Sequence, residues 1–127
     1  MSGPAEEDGV EMVRHKGYWE ARYLGAYAFA RYKKQMEKSV RACEEKNGAL
    51  LLVDIRGITD FKPSTQERYE FGKYGAEISR NLERVSVLLS EQQVDPDSLS
   101  SLVARNRGLK VRAFTDRKAA IEWLLNG

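Results

Sequence analysis

A single cysteine, Cys43, leaves no second thiol in the chain to pair with. That excludes an internal disulfide framework and fits a reducing compartment. A single histidine, His15, excludes a zinc site unless further ligands join it. The sequence has no P-loop, no Gly-x-Gly-x-x-Gly turn and no Ser-His-Asp arrangement. Its longest apolar runs, such as Ala49-Leu50-Leu51-Leu52-Val53, fall far below the roughly 20 residues that cross a bilayer. The N-terminus lacks a basic start followed by an apolar stretch, so no secretory signal is expected. There is no internal repeat and no low-complexity segment. A large excess of one charge is also missing. Of 19 acidic residues three lie in residues 1–9, which leaves sixteen against 21 basic residues beyond them, a mild and dispersed +5. Nucleic-acid binders concentrate their basic residues on one face, whereas here Glu37 interrupts the densest basic stretch, from Arg31 to Arg41, and Glu44 and Glu45 follow it. These absences predict a non-enzymatic cytoplasmic protein with no metal, no cofactor, no nucleic-acid partner and no membrane span.

With 31% charged and 42% hydrophobic residues, the chain has the composition of a globular domain with one core. Residues 1–9 read as a flexible acidic tail and residues 10–127 as one α/β domain. Residues 10–15 and 18–24 read as strands joined by the Lys16-Gly17 turn into a hairpin. Residues 26–46 read as a helix, because Phe29, Tyr32, Met36, Val40 and Cys43 form one stripe at helical spacing. Asn47-Gly48 offers a left-handed cap at either residue. Residues 49–54 form an unbroken apolar strand ending in Asp54, as expected of a central parallel strand. Residues 55–63 read as a loop. Ser64 and Glu67 form a capping box that opens a second helix, predicted to run to about Leu82. Gly75 in that helix points to close packing on the sheet. Residues 84–89 are the next strand. A polar segment, 91–97, leads to a short helix stopped by Gly108. Residues 109–114 are the last strand. Thr115 or Asp116 caps a final helix whose apolar stripe is Ala119, Ala120, Trp123 and Leu124, with Trp123 predicted to be largely buried. Strands then alternate with helices after the hairpin, so right-handed crossovers and parallel neighbours are predicted for strands 49–54, 84–89 and 109–114.

In open α/β sheets, ligands bind beyond the carboxyl ends of parallel strands. Those ends are Asp54 with Arg56, Ser90 with Glu91, and Thr115 with Asp116, and the candidate site built around them is Asp54, Arg56, Gly57, Thr59, Thr115 and Asp116, together with Ser64, whose helix N-terminus offers free N–H groups. A second reading of the same residues is structural: Asp54 accepts loop N–H bonds, and Ser64, Thr115 and Asp116 are N-caps. Strand alternation sets Tyr18, Glu20 and Arg22 on one face, and Trp19, Ala21 and Tyr23 on the other, toward the helices. Tyr18 and its neighbours are candidates for a dimer interface or an apolar ligand groove. Cys43 lies on the apolar stripe of the first helix and reads as core, not as a nucleophile.

The element order resembles a known family. So do Ala-Leu-Leu-Leu-Val-Asp-Ile-Arg-Gly at 49–57 and Val-Arg-Ala-Phe-Thr-Asp-Arg-Lys-Ala-Ala-Ile-Glu-Trp-Leu at 111–124. The chain resembles the bacterial STAS-like domains, often called SpoIIAA-like, which are related to anti-sigma-factor antagonists. The resemblance spans roughly residues 10–127. It implies a single-domain α/β fold with an N-terminal hairpin, then alternating helices and strands, with helices packed on a mixed sheet. It also implies a regulatory or protein-interaction role, with a protein partner or a second copy of the chain. The alternative it carries is binding or carrying an apolar small molecule or lipid. One departure stands out. The antagonists have a phosphorylated serine after the central strand, whereas this chain reads Asp54-Ile55-Arg56-Gly57-Ile58-Thr59, with Thr59 and Ser64 as the nearest hydroxyls.

Overall fold

The structure, a computed structural model, describes residues 9–127. The expected acidic tail, residues 1–8 of it, lies outside the described residues. Strand β1 (Val10–His15) pairs antiparallel with β2 (Tyr18–Ala26). Gly17 supplies the positive φ, +91°, that the two-residue turn requires. Helix α1 (Phe29–Glu45) follows, then β3 (Leu50–Thr59), α2 (Thr65–Ile78), β4 (Arg84–Leu88), a 3-10 turn at Glu91–Gln93, α3 (Leu99–Asn106), β5 (Val111–Phe114) and α4 (Arg117–Asn126). The sheet order is β1-β2-β3-β4-β5, and β2 to β5 run mutually parallel. The predicted parallel set is therefore present, and the hairpin adds the one antiparallel strand.

Helices cover both faces. On one side, Ala21, Tyr23, Leu51, Val53, Ile55, Val85 and Val111 pack with Tyr32, Val40 and Cys43 of α1, Phe71 and Ala76 of α2 and Ala104 of α3. On the other, Leu52 and Leu88 meet Ala120 and Leu124 of α4, with Tyr18, Leu50, Phe114 and Ile121 around them. The α1 stripe is as expected, but it is flanked by two buried polar residues. Gln35 donates to the carbonyls of Gly9 and Leu24, each at 3.1 Å. Ser39 donates to the Met36 carbonyl and accepts from the Tyr23 hydroxyl at 2.6 Å. Each therefore satisfies a group that burial would otherwise leave unpaired. Asn47, φ +59°, is the left-handed residue that ends α1.

Four expectations are corrected. The central strand does not stop at Asp54. It runs on to Thr59 along β2 alone, so Ile55 to Thr59 is strand and not loop. β4 pairs with it only up to Asp54. Past that point Gln93 takes the place of the missing neighbour, donating to the carbonyls of Ile55 at 2.8 Å and Ile58 at 3.2 Å. The second helix ends at Ile78, with Ser79 as its cap, and Leu82 is buried in the connection that follows. Gly75 faces Met36 of α1, not the sheet. Its neighbour Gly72 is the close-packing position: any side chain there would collide with the Ser100 carbonyl and Val103 of α3.

The fourth correction concerns α4. Ala120 and Leu124 are the fully buried residues, each 0% exposed, while Trp123 is only half-buried and lies 5.9 Å from Phe114, ring to ring. At helical spacing Ala120 and Leu124 are four apart and share the central line of the face, which puts Trp123 on its flank. Leu124→Ala should therefore cost about 2–5 kcal/mol. Trp123→Ala, which removes a side chain that keeps part of its surface in water, should cost less. Urea unfolding of the two variants checks the order, with Leu124→Ala expected to have the lower midpoint.

Candidate functional site

Two features stand out on the two faces of the sheet. The first is a charged network on the α4 side. Strand alternation directs Glu20 and Arg22 of β2 to this face, beside the fully buried Leu52 of β3. Glu20 is 0% exposed. Its Oε1 accepts from Arg117 at 2.7 Å and from His15 Nε2 at 2.7 Å. Its Oε2 accepts from Arg117 at 2.9 Å and from Arg22 Nε at 3.0 Å. Arg117 is the first residue of α4, and it closes a fork on a carboxylate 97 residues earlier in the chain. Burial alone would raise the Glu20 pKa. The bonds from Arg117, Arg22 and His15 outweigh that and hold it at about 2, against an ordinary 4.5. His15 also stacks on Tyr18, ring centroids 4.6 Å apart.

Asp54, 7% exposed, adjoins this network. Between Arg22 and Leu24 the β2–β3 register slips, so that Arg22 opposes Asp54 while Leu24 opposes Gly57. The extra residue on β3 is a bulge, a device that re-aims side chains. Here it turns Arg56 back on Asp54. The Arg56 backbone N–H and Nε both donate to Oδ1 at 3.0 Å, and a guanidinium nitrogen donates to Oδ2 at 2.9 Å. Gly57 sits where a Cβ would lie 2.6 Å from the Leu24 side chain, so the bulge leaves room for glycine alone.

Of the seven residues selected from sequence, Asp54 and Arg56 are brought together, with Gly57 beside them in the bulge. The others are not. Ser64 is the N-cap of α2 and accepts from the Glu67 N–H at 3.1 Å, and Asp116 caps α4 through the Ala119 N–H at 2.9 Å. These two follow the structural reading of the sequence. Thr59 ends β3 with its side chain exposed, its carbonyl accepting from the Tyr27 N–H. Thr115 lines a cavity on the opposite face of the sheet. Because β3 continues as strand, Thr59 does not stand in a turn like that of the antagonists' serine.

That cavity is the second feature. It has a volume of about 340 Å³ and lies between the sheet and helices α1 to α3. Tyr23, Tyr32 and Phe71 form an aromatic wall, Val53, Val85 and Val87 the sheet floor, and Ala104 and Leu109 the far side. Tyr32 and Phe71 are 4.6 Å apart, centroid to centroid. Polar groups gather toward α3. Arg68 lies 3.7 Å from Asp95, and Asp95 in turn accepts from the Leu99 N–H at the start of α3 at 2.8 Å. Ser98, Ser100 and Ser101 complete this polar side. The groove expected near Tyr18 is thus displaced. Tyr18 packs against the α4 cluster, and the apolar space opens on the other side of the sheet. The clue available in the sequence was the glycine pair in α2, since Gly72 lets α3 lie against α2 while both helices arch over the sheet.

Neither reactive residue type has the setting of a nucleophile. Cys43 is fully buried, and that burial, with a smaller contribution from Glu44, pushes its thiol up to about 11. His15 is committed to Glu20.

Glu20 makes stability depend on pH. Its folded pKa lies below the unfolded value, so the unfolded state binds the extra proton between them, and stability rises with pH across that window. The contribution is fully present above about pH 4.5 and is lost as pH falls through about 2. It amounts to about 3 kcal/mol. Glu20→Gln should be markedly less stable at neutral pH, and its deficit should shrink between pH 5 and 2. Urea melts of both proteins across that range check this; a deficit that does not change with pH counts against a charged Glu20.

No protein-family model and no curated protein matches the chain. Among solved structures, it is similar to a protein of the DUF3478 family from Shewanella loihica PV-4 described as having a SpoIIAA-like fold. The two share 18% identity with a TM-score of 0.55 over 91% of each chain. With its mixed five-stranded sheet, leading hairpin and helices on both faces, this chain has a SpoIIAA-like fold.

Proposed function

We propose that the protein is a non-enzymatic binding domain whose ligand is a small apolar molecule with one polar end. The cavity of about 340 Å³ between the sheet and the helices carries this reading. Its volume falls in the range of ligand sites, and its walls combine aromatic and aliphatic side chains with a few polar groups gathered on one side, the arrangement that orients a ligand. The apolar portion would lie against Tyr32, Phe71 and Val85. The polar end would face Arg68, Asp95 and the serines at the start of α3.

A second reading, a regulatory protein-interaction module acting with a protein partner or a second copy of the chain, draws support from the SpoIIAA-like fold and from the open β5 edge of the sheet. The two readings use neighbouring parts of the molecule, since Leu109 and Val111 border both the cavity and the β5 edge. Cytoplasmic location suits both; among the described residues no helix is long and apolar enough to cross a membrane.

Decanol serves as a test ligand. Isothermal calorimetry should show it binding to the intact protein in one-to-one ratio. Val87→Phe, which places a ring in the cavity, should weaken that binding roughly tenfold or more while the circular dichroism spectrum is retained. Equal binding by Val87→Phe would place decanol elsewhere and contradict the proposal.

A further inference from the structure

β5 forms one edge of the sheet. Next to it, on the α4 side and the α3–β5 connection, lies an open groove of about 720 Å³ lined by Arg84, Arg105, Lys110, Arg112, Leu109 and Trp123, with no Asp or Glu in its lining. Four cations around one groove are unusual in a chain whose net charge is only +2. Arg84 is partly spent: it donates to the Leu124 carbonyl at 2.9 Å and to Glu83 at 3.1 Å. Arg112 lies over the Phe114 ring at 5.5 Å, and Phe114 leans on Trp123. The side chains of Arg105 and Lys110 make no hydrogen bond or ion pair among the described residues.

The backbone beside the groove has no strand partner on its outer side. β5 is an outer strand of the sheet. The carbonyls of Lys110 and Phe114 point to β4, accepting from Val85 and Leu89 at 2.9 Å each. In a parallel pair such groups alternate along the strand, so Val111 and Ala113 present their N–H and C=O groups to the open side. An exposed edge of this kind is a template for a further strand. Its basic side chains choose which strand. A second copy of β5 would set Lys110 and Arg112 against like charges, whereas an acidic strand would be attracted.

We propose that the β5 edge and its basic groove bind an acidic segment of a partner protein in extended conformation. The segment adds a strand to the sheet, its backbone pairing with Val111 and Ala113 and its carboxylates meeting Arg105, Lys110 and Arg112. Trp123 and Leu109 offer apolar contact to the alternate side chains. This inference rests on the interaction-module reading and gives the partner its chemistry.

The test is an NMR titration of the full chain, labelled with nitrogen-15, with a peptide of alternating glutamate and valine. The expected result is saturable shifts of the Val111 to Phe114 amides and of the Trp123 indole, weakening as salt is raised. The double variant Arg105→Gln/Lys110→Gln changes only exposed charges and should bind roughly fivefold more weakly. Ala113→Pro removes one outward N–H at a position an edge strand tolerates, and should abolish the shifts along β5. The proposal is overturned if the Ala113→Pro variant binds like the natural chain. It is equally overturned if inorganic phosphate or a single-stranded oligonucleotide gives the same shifts at lower concentration than the peptide. Shifts confined to another surface also overturn the groove, yet they leave the interaction-module reading standing; a peptide that shifts no resonance at all overturns the groove and removes the edge as support for that reading.

Discussion

The rest of the molecule depends on one buried charge. Glu20 is taken wholly out of water on the α4 side of the sheet, a placement that costs several kcal/mol unless the charge is met by partners. Three residues meet it: Arg22 from the same strand, His15 across the hairpin, and Arg117 from the start of α4. A hairpin at one end of the sequence is thereby tied to a helix at the other. The small apolar cluster under α4, with Leu52, Leu88, Ala120 and Leu124 at its centre, gains an orientation that hydrophobic contact alone, being non-directional, would not fix.

With α4 held this way, the sheet can devote its other face to something besides a close-packed core. Three helices arch over that face, and their spacing is set locally. Gly72 brings α3 against α2, Asp95 holds the start of α3, and Gln93 closes off β3 where β4 has ended. Between these supports the aromatic wall and the valine floor stand far enough apart to leave a cavity. Most of its polar groups gather toward the start of α3, which is why an amphiphile, and not a plain hydrocarbon, is the ligand proposed for it. The charged face and the open β5 edge stay free for other contacts.

Much of this was legible in the sequence, and the misses share a cause. Period-two and period-3.6 patterns placed the hairpin, α1 and the parallel strands, because those patterns are set by which face is buried. Alternation also put Tyr18, Glu20 and Arg22 on one face. It gave no hint of Arg117, since a pairing across 97 residues leaves no local trace. β3 was read too short because Arg56 and Gly57 look like a loop. In the fold they are a bulge whose arginine is neutralised by Asp54 and whose glycine makes room for Leu24. The small Ala119 and Ala120 suggest a space left for Trp123, whereas the helical line through Ala120 and Leu124 decides which residues point inward. The cavity was sought beside Tyr18 because aromatics cluster early in the chain. Its helical walls come from all three of α1, α2 and α3, and the only local trace of them is the glycine pair in α2. Ser64 and Asp116 cap their helices, as the structural reading of the sequence expects.

If the space between the sheet and the helices is a ligand site, as proposed, the purified protein should keep an amphiphile bound. Native mass spectrometry of the full chain, incubated with a mixed lipid extract and then separated from excess, tests it most directly. The account predicts a retained adduct of one small amphiphile per chain, displaced by decanol. A chain that emerges at its bare mass, with no adduct under conditions gentle enough to keep the fold, would contradict it.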